Sequence, residues 1–363
     1  MTQRIDVGIL GATGVVGQQF VALLADHPWF RVTWLAASER SAGHRYGDLA
    51  WRLPSRLPAA TADLRVSPLS AVADAPSILF SGLDSSVAGE AELTFAASGR
   101  HVVSNARNHR MDPLVPLLIP EVNPDHLSLL DYQRRAKGWS GSLVTNPNCA
   151  TIVVAMVLGA LRQFQPRRVM VTTLQALSGA GYPGVASLDA VGNIIPYIGG
   201  GEEEKIETES LKLLGRFEGG AIRDADFVVS AQTTRVPVPD GHTAMMSIEL
   251  AAKPSVEEVS AALDAFTAEP QQRLLPSAPA KPIVLHTAQD RPQPRLDVAF
   301  GGGMPVHCGR VRRCPILGYK LVAMGHNVVR GAAGAALLNA ELMVARGLTV
   351  GAEHGAALTT PRR

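Results

Sequence analysis

Little in this sequence points to a membrane, an export route or a nucleic acid. No apolar run reaches the ~18 residues that a bilayer span needs. The opening residues, Met1-Thr2-Gln3-Arg4-Ile5-Asp6-Val7, enter a strand pattern without a signal-peptide core or cleavage site. Formal net charge is only +2 and no basic cluster is interleaved with aromatics, so a nucleic-acid surface is not indicated. Cysteine is scarce: Cys149, Cys308 and Cys314 form no Cys-x-x-Cys pair and cannot all be bridged. That usage fits a reducing compartment and predicts a cytoplasmic protein without disulfides. His307, Cys308 and Cys314 match no common zinc spacing, so no metal is expected. No internal repeat is visible.

What is present is a globular chain of 363 residues, 46% hydrophobic and 18% charged, long enough for two domains. Ile5 to Leu10 form an apolar strand, followed by Gly11-Ala12-Thr13-Gly14-Val15-Val16-Gly17 and a helical pattern through Phe20, Leu23 and Leu24. Strand, glycine turn and helix together make the phosphate-binding start of a dinucleotide domain, although the spacing is G-x-x-G-x-x-G rather than G-x-G-x-x-G. The bland alternative is a glycine turn without a ligand. A second strand, Phe30 to Ala36, ends in Ala37-Ser38-Glu39-Arg40-Ser41. Ser38, Arg40 and Ser41 favour the 2′-phosphate of NADP; Glu39 can instead serve NAD, and a solvated turn is the third reading. Strands at Ser77 to Gly82 and His101 to Ser104 lead into Asp84-Ser85-Ser86 and Asn105-Ala106-Arg107-Asn108-His109-Arg110, where basic residues either hold phosphate or line a solvated loop.

The organising stretch is Asn146-Pro147-Asn148-Cys149-Ala150-Thr151-Ile152. A strand-like run, Ser142 to Thr145, stops at Asn-Pro, and a periodic apolar segment follows. Cys149 therefore begins a helix, where unpaired N–H groups and the dipole favour thiolate and an oxyanion. A small buried cysteine in a helix-initiating turn is the competing reading. Downstream, the strand Val169 to Leu174 gives way to a small-residue loop, Gln175 to Gly184. The charge run Glu202-Glu203-Glu204-Lys205-Ile206-Glu207-Thr208-Glu209 reads as a solvated helix face. Strands Phe227 to Thr233 and Met245 to Ala251 bracket a Pro-Gly turn that can bring Arg235 and His242 into one cleft, though singly each reads as structural. Val256 to Phe266 is an amphipathic helix, Leu274 to Arg295 an irregular connection, Tyr319 to Met324 a strand, and Gly331 to Leu342 a small-residue helix. The tail after Gly351 is expected to fray.

Taken jointly, Gly11 to Gly17, Ala36 to Gly43, Ser104 to Pro113, Ile119 to His126, Thr145 to Ile152, Gln175 to Gly184, Asn193 to Glu209, Arg235 to Thr243 and Gly325 to Gly334 resemble, in order, the aspartate-semialdehyde dehydrogenases of archaea and fungi. The resemblance implies an α/β fold: a Rossmann-type NADP-binding domain, residues 1–147 plus 326–363, with an inserted α+β catalytic and dimerisation domain, residues 148–325. It implies Cys149 as nucleophile, His242 as acid/base and Gln175 as the residue orienting the acyl group. Arg235 would clamp the α-carboxylate, Glu202 the ammonium, Lys205 and Arg110 the phosphate or a carboxylate, and Asn148 would help hold the phosphate. NADP would meet Gly11, Thr13, Gly14, Val15, Val16, Ser38, Arg40, Ser41, Ser85, Ser178, Gly179, Gly181 and Asn327. The implied reaction is reduction of L-aspartyl 4-phosphate by NADPH in the biosynthesis of lysine, threonine and methionine, by a homodimer or homotetramer. Ala150 departs from the serine this branch often carries, and Phe300 to Cys314 also reads differently. Malonyl-CoA reductase and N-acetyl-glutamyl-phosphate reductase use the same chemistry, and a dinucleotide-sensing regulator with an inert cysteine is the non-catalytic alternative.

Overall fold

A computed structural model describes residues 4–349. β1 (Ile5–Leu10), β2 (Phe30–Ala37), β3 (Val66–Pro68), β4 (Ile78–Ser81), β5 (His101–Ser104) and β6 (Ser142–Thr145) pair in the order β3-β2-β1-β4-β5-β6, every neighbour parallel. This is the doubly wound arrangement, and β4, β5 and β6 are buried along their whole length because helices cover both faces. The turn from β1 to the Val15–Leu24 helix depends on glycine. Gly11 sits at φ +75°, and a Cβ on Gly17 would come within 2.2 Å of the Gly11 carbonyl oxygen. No side chain fits there.

A second sheet is built from β7 (Pro166–Gln175), β10 (Val228–Arg235), β11 (His242–Leu250), β12 (Ile283–His286), β13 (Val306–Cys314) and β14 (Gly318–Gly325), in the order β10-β7-β11-β14-β13-β12. The short hairpin β8 (Arg216–Glu218) and β9 (Ala221–Arg223) stands apart from it. Pairing is mixed: β10 with β7 and β12 with β13 are parallel, the rest antiparallel. One face packs against the Cys149–Ala160, Glu202–Leu213 and Val256–Asp264 helices through Val154, Ile206, Leu213, Val259, Met246 and Leu321. On the other face Met170, Val228 and Met245 are exposed.

The Gly334–Ala345 helix lies in the same core as Val7, Ile9 and Phe80 of the first sheet. It is preceded by a π-helical turn at Val329–Ala333, where a helix from Gly331 is expected from the sequence. The supposed irregular connection from Leu274 to Arg295 contains β12, an edge strand whose preceding residue, Pro282, accepts the Val306 amide. A proline is tolerated at such an edge, and for that reason the proline-rich pattern concealed the strand. Arg235 ends β10 and His242 begins β11, so both are strand residues rather than members of a loose turn. The tail after Gly351 lies outside the described residues. No described helix is long and apolar enough to cross a membrane.

Candidate active site

Where β6 ends, Asn148 caps the Cys149–Ala160 helix: its Oδ1 accepts the Ala150 and Thr151 amides at 2.9 and 3.1 Å. Cys149 thus opens a helix whose body is buried in the second sheet's core while its start lies at the carboxyl end of the first sheet. A cavity of about 590 Å³ surrounds it, lined by residues from both halves. Arg107 and Arg110 follow β5, Ser178 to Gly181 follow β7, and Glu202 and Lys205 open their helix. Arg235 ends β10, while Asn327, Val328 and Gly331 precede the last helix. Gly331 backs the nucleophile so closely that a Cβ there would lie 2.6 Å from the Cys149 Cβ.

The thiolate expected from the helix dipole is not what the site favours on its own. Cys149 keeps some exposure to the cavity. Enclosure by protein nevertheless pushes its thiol up to about 12, and the Glu202 carboxylate adds to the rise against Arg110, Lys205 and Arg235. In this structure the sulfur is a thiol, because desolvation and a like charge outweigh the local dipole.

Glu202 is the hub. Its Oε1 accepts from Asn148 Nδ2 at 2.7 Å and from Gln175 Nε2 at 3.2 Å, and its Oε2 accepts from Lys205 Nζ at 2.6 Å. Burial works to raise its pKa, but Lys205 and these hydrogen bonds together hold it below the usual range, so it is ionised. The solvated-face reading of this helix fails: Glu202, Glu209 and Lys212 are all buried. Asn148, expected on phosphate, has its side chain committed to Glu202 and to the helix cap. Gln175 is buried and sits behind Glu202 instead of on the cavity wall.

Arg235 donates through Nη1 to the Ala176 carbonyl at 2.8 Å, leaving the rest of its fork toward the cavity. The Gly179 backbone passes directly over it and His242: a Cβ there would lie 2.9 Å from Arg235 Nη1 and 3.0 Å from His242 Nε2. His242 Nδ1 accepts the Ala176 amide at 3.1 Å, so the neutral ring carries its proton on Nε2, which is buried with no protein partner. Burial, then Arg235, pulls its pKa down to about 3, so the ring is neutral at physiological pH.

The expected cofactor residues divide into two groups. Val15, Val16, Ser85, Ser178, Gly179, Gly181 and Asn327 line the cavity, and Asn327 Nδ2 donates to Ser178 Oγ at 2.7 Å across the two halves. Gly11, Thr13 and Gly14 form the turn beside it. Ser38 and Arg40 are exposed at the end of β2, away from the cavity lining, with Ser41 folded back so that its amide donates to the Ser38 carbonyl. Gly14 caps the first helix without a side-chain acceptor, which leaves its first-turn amides for an external anion. The turn and groove therefore fit a dinucleotide.

Sequence reasoning missed Asn105, Glu209 and Gly331, and it missed the buried pair Arg330–Glu121, whose two contacts are both 2.8 Å and which anchors the π-turn behind Cys149. Only Glu209 left a trace, seven residues after Glu202 and so on the same helix face. Among the described residues His286, Asp297 and His307 have potential ligand atoms within 4.8 Å of one another. Asp297, however, is held by Arg291 and the Gln293 amide, and His286 Nε2 faces His307 Nδ1 at 3.0 Å, so these donors already serve one another. Cys308 points to the opposite face of β13, into the core.

Comparison with known proteins accords with this geometry. Residues 6–130 match the semialdehyde dehydrogenase NAD-binding domain model and residues 158–330 its dimerisation domain model. The chain is 49% identical over 342 residues to the aspartate-semialdehyde dehydrogenase of Archaeoglobus fulgidus, covering 94% of this chain and 98% of that protein. It is 48% identical to the Cryptococcus neoformans enzyme, with 95% and 98% covered. Its backbone superposes on the Candida albicans aspartate semialdehyde dehydrogenase crystallised with NADP with a TM-score of 0.87 at 38% identity, covering 95% of this chain and 100% of that one. With sequence and backbone agreeing over nearly the whole length, the chain belongs to the aspartate-semialdehyde dehydrogenase family.

Proposed function

We propose that Cys149, His242, Arg235, Glu202, Lys205 and Arg110 carry out the reaction of this family, NADPH-dependent reduction of L-aspartyl 4-phosphate to L-aspartate 4-semialdehyde with release of phosphate. The observation that carries the assignment is charge complementarity around one sulfur: arginines and a lysine on several sides of Cys149, with a single buried carboxylate, Glu202, lining the same cavity. The substrate has the matching pattern of carboxylate, phosphate and one ammonium. Arg235 suits the carboxylate because its planar fork makes parallel bonds. Glu202 takes the ammonium, Lys205 moving from it to the phosphate, and that ammonium offsets the carboxylate charge that opposes the thiolate. Gln175 and Asn148 hold Glu202 in place. Neither malonyl-CoA nor N-acetyl-glutamyl phosphate offers an ammonium, so Glu202 favours the amino-acid substrate.

In the first half-reaction sulfur bonds to the acyl carbon, the carbon–oxygen bond to phosphate breaks, and the thiol proton goes to the departing phosphate. Arg110 and Lys205 offset the charge that builds there. NADPH, when bound at Val15, Val16, Ser85, Ser178 and Asn327, supplies the hydride that reduces the thioester. His242 Nε2–H donates to the carbonyl oxygen as it gains charge; the carbonyl then re-forms as the carbon–sulfur bond breaks, releasing the aldehyde, and the Cys149 sulfur takes a proton from solvent to restore the thiol. Phosphate-dependent reduction of NADP by L-aspartate semialdehyde tests the whole reading. Its absence, or preferred turnover of malonyl-CoA with NADPH, overturns it.

Arg40, at the end of β2, is the 2′-phosphate contact in this reading. Arg40→Ala is expected to weaken NADPH about tenfold or more and NADH less than about twofold, measured by fluorescence titration. Equal effects on both would discard the role. The exposed face of the second sheet, with Met170, Val228 and Met245, suits burial against a second copy in a homodimer or homotetramer. Three free cysteines fit the cytoplasm.

A further inference from the structure

One face of the Glu202–Leu213 helix carries alternating charges, Glu202, Lys205, Glu209 and Lys212. The first two line the cavity and the last two do not. Glu209 is 1% exposed. Its Oε1 accepts from Arg110 Nη1 at 2.9 Å, and its Oε2 accepts the backbone amide of Asn148, the residue before the nucleophile, at 2.6 Å. Arg110 Nη2 donates to the Asn105 carbonyl at 2.8 Å, whereas its Nε is buried without a protein partner. Lys212 secures the same loop by donating to the Arg110, Asp112 and Val115 carbonyls at 2.7, 2.8 and 3.0 Å. All donors of a guanidinium lie in one plane, so fixing both Nη atoms fixes the direction of the Nε–H as well. A buried ion pair adds little net stability, and what this one contributes is geometry.

We propose that Glu209 is a positioning residue: one carboxylate grips both the Arg110 guanidinium and the peptide leading into Cys149, and so sets the place of the phosphate relative to the sulfur. Glu209 touches no substrate and acts through Arg110, so the inference rests on Arg110 being a phosphate contact.

The test is steady-state kinetics of the full-length enzyme in the phosphate-consuming direction, with Arg110→Lys, Glu209→Gln and the double variant. Arg110→Lys is expected to raise KM for phosphate about tenfold. Glu209→Gln should do the same with KM for NADP and for the semialdehyde changed less than about threefold, and the double variant should be no worse than Arg110→Lys. A merely structural Glu209 would lower Tm and leave the phosphate KM of the folded enzyme unchanged, which overturns the proposal. Multiplying losses in the double variant overturn it too, since the residues would then act independently. If Arg110→Lys itself leaves the phosphate KM alone, the reading of Arg110 is what has failed. Should Glu209→Gln not fold, Glu209→Asp, too short to reach both partners, is expected to give the same phosphate-specific shift.

Discussion

Cys149→Ser is expected to lower turnover by at least about 10⁴-fold while changing NADPH affinity less than about twofold. Serine is nearly isosteric, and the Asn148 cap that starts the helix uses backbone amides of Ala150 and Thr151 rather than the residue 149 side chain, so the fold and the groove remain. What changes is the nucleophile. The surroundings already push the thiol up to about 12; the same desolvation acting on a hydroxyl puts the alkoxide out of reach, and an ester accepts hydride less readily than a thioester. Rapid-quench mass spectrometry with L-aspartyl 4-phosphate and no NADPH should find an acyl adduct on the wild-type residue and none on the variant. A variant that turns over near the normal rate, or a competent wild type without the adduct, removes the covalent step.

The sequence was most legible where structure is locally determined. Ile78–Ser81, His101–Ser104 and Ser142–Thr145 are short runs around an apolar centre, and each is a strand buried along its whole length. The glycine turn after β1 and the Asn-Pro break before Cys149 are likewise local. What local pattern cannot carry is a partner distant in the chain. The charge run from Glu202 looks solvated because its partners are elsewhere: Arg110 meets Glu209 across 99 positions, and Lys212 is satisfied by carbonyls of residues 110–115. The ionisation of Cys149 is misjudged for the same reason. A helix start argues for thiolate, yet Glu202, more than fifty positions away, and burial decide otherwise. The strand β12 escaped because proline-rich flanks mask an edge strand, and the π-turn at Val329–Ala333 leaves no periodic signal at all.

His242→Asn is expected to reduce turnover by about 10³-fold with little change in KM, and His242→Gln by clearly less. The two amides test different ends of the ring. Asparagine places its polar group near the position of Nδ1, where it meets the Ala176 amide, and loses the group at Nε2; glutamine reaches the Nε2 position and can still donate there. A general acid/base reading of this histidine has it take the thiol proton, but the Ala176 amide occupies Nδ1 and keeps the ring proton on Nε2, the buried nitrogen beneath the Gly179 backbone. With its pKa pulled down to about 3, the ring stays neutral throughout the working range. Protonation would require displacing a backbone amide beside Arg235. The pH profile of kcat should accordingly show no loss of activity on the acid side near 6.5, the range of an ordinary imidazole. A kcat that falls through that range in the wild type and no longer does so in His242→Gln would mean that the ring exchanges a proton during turnover, and the donor assignment would be wrong.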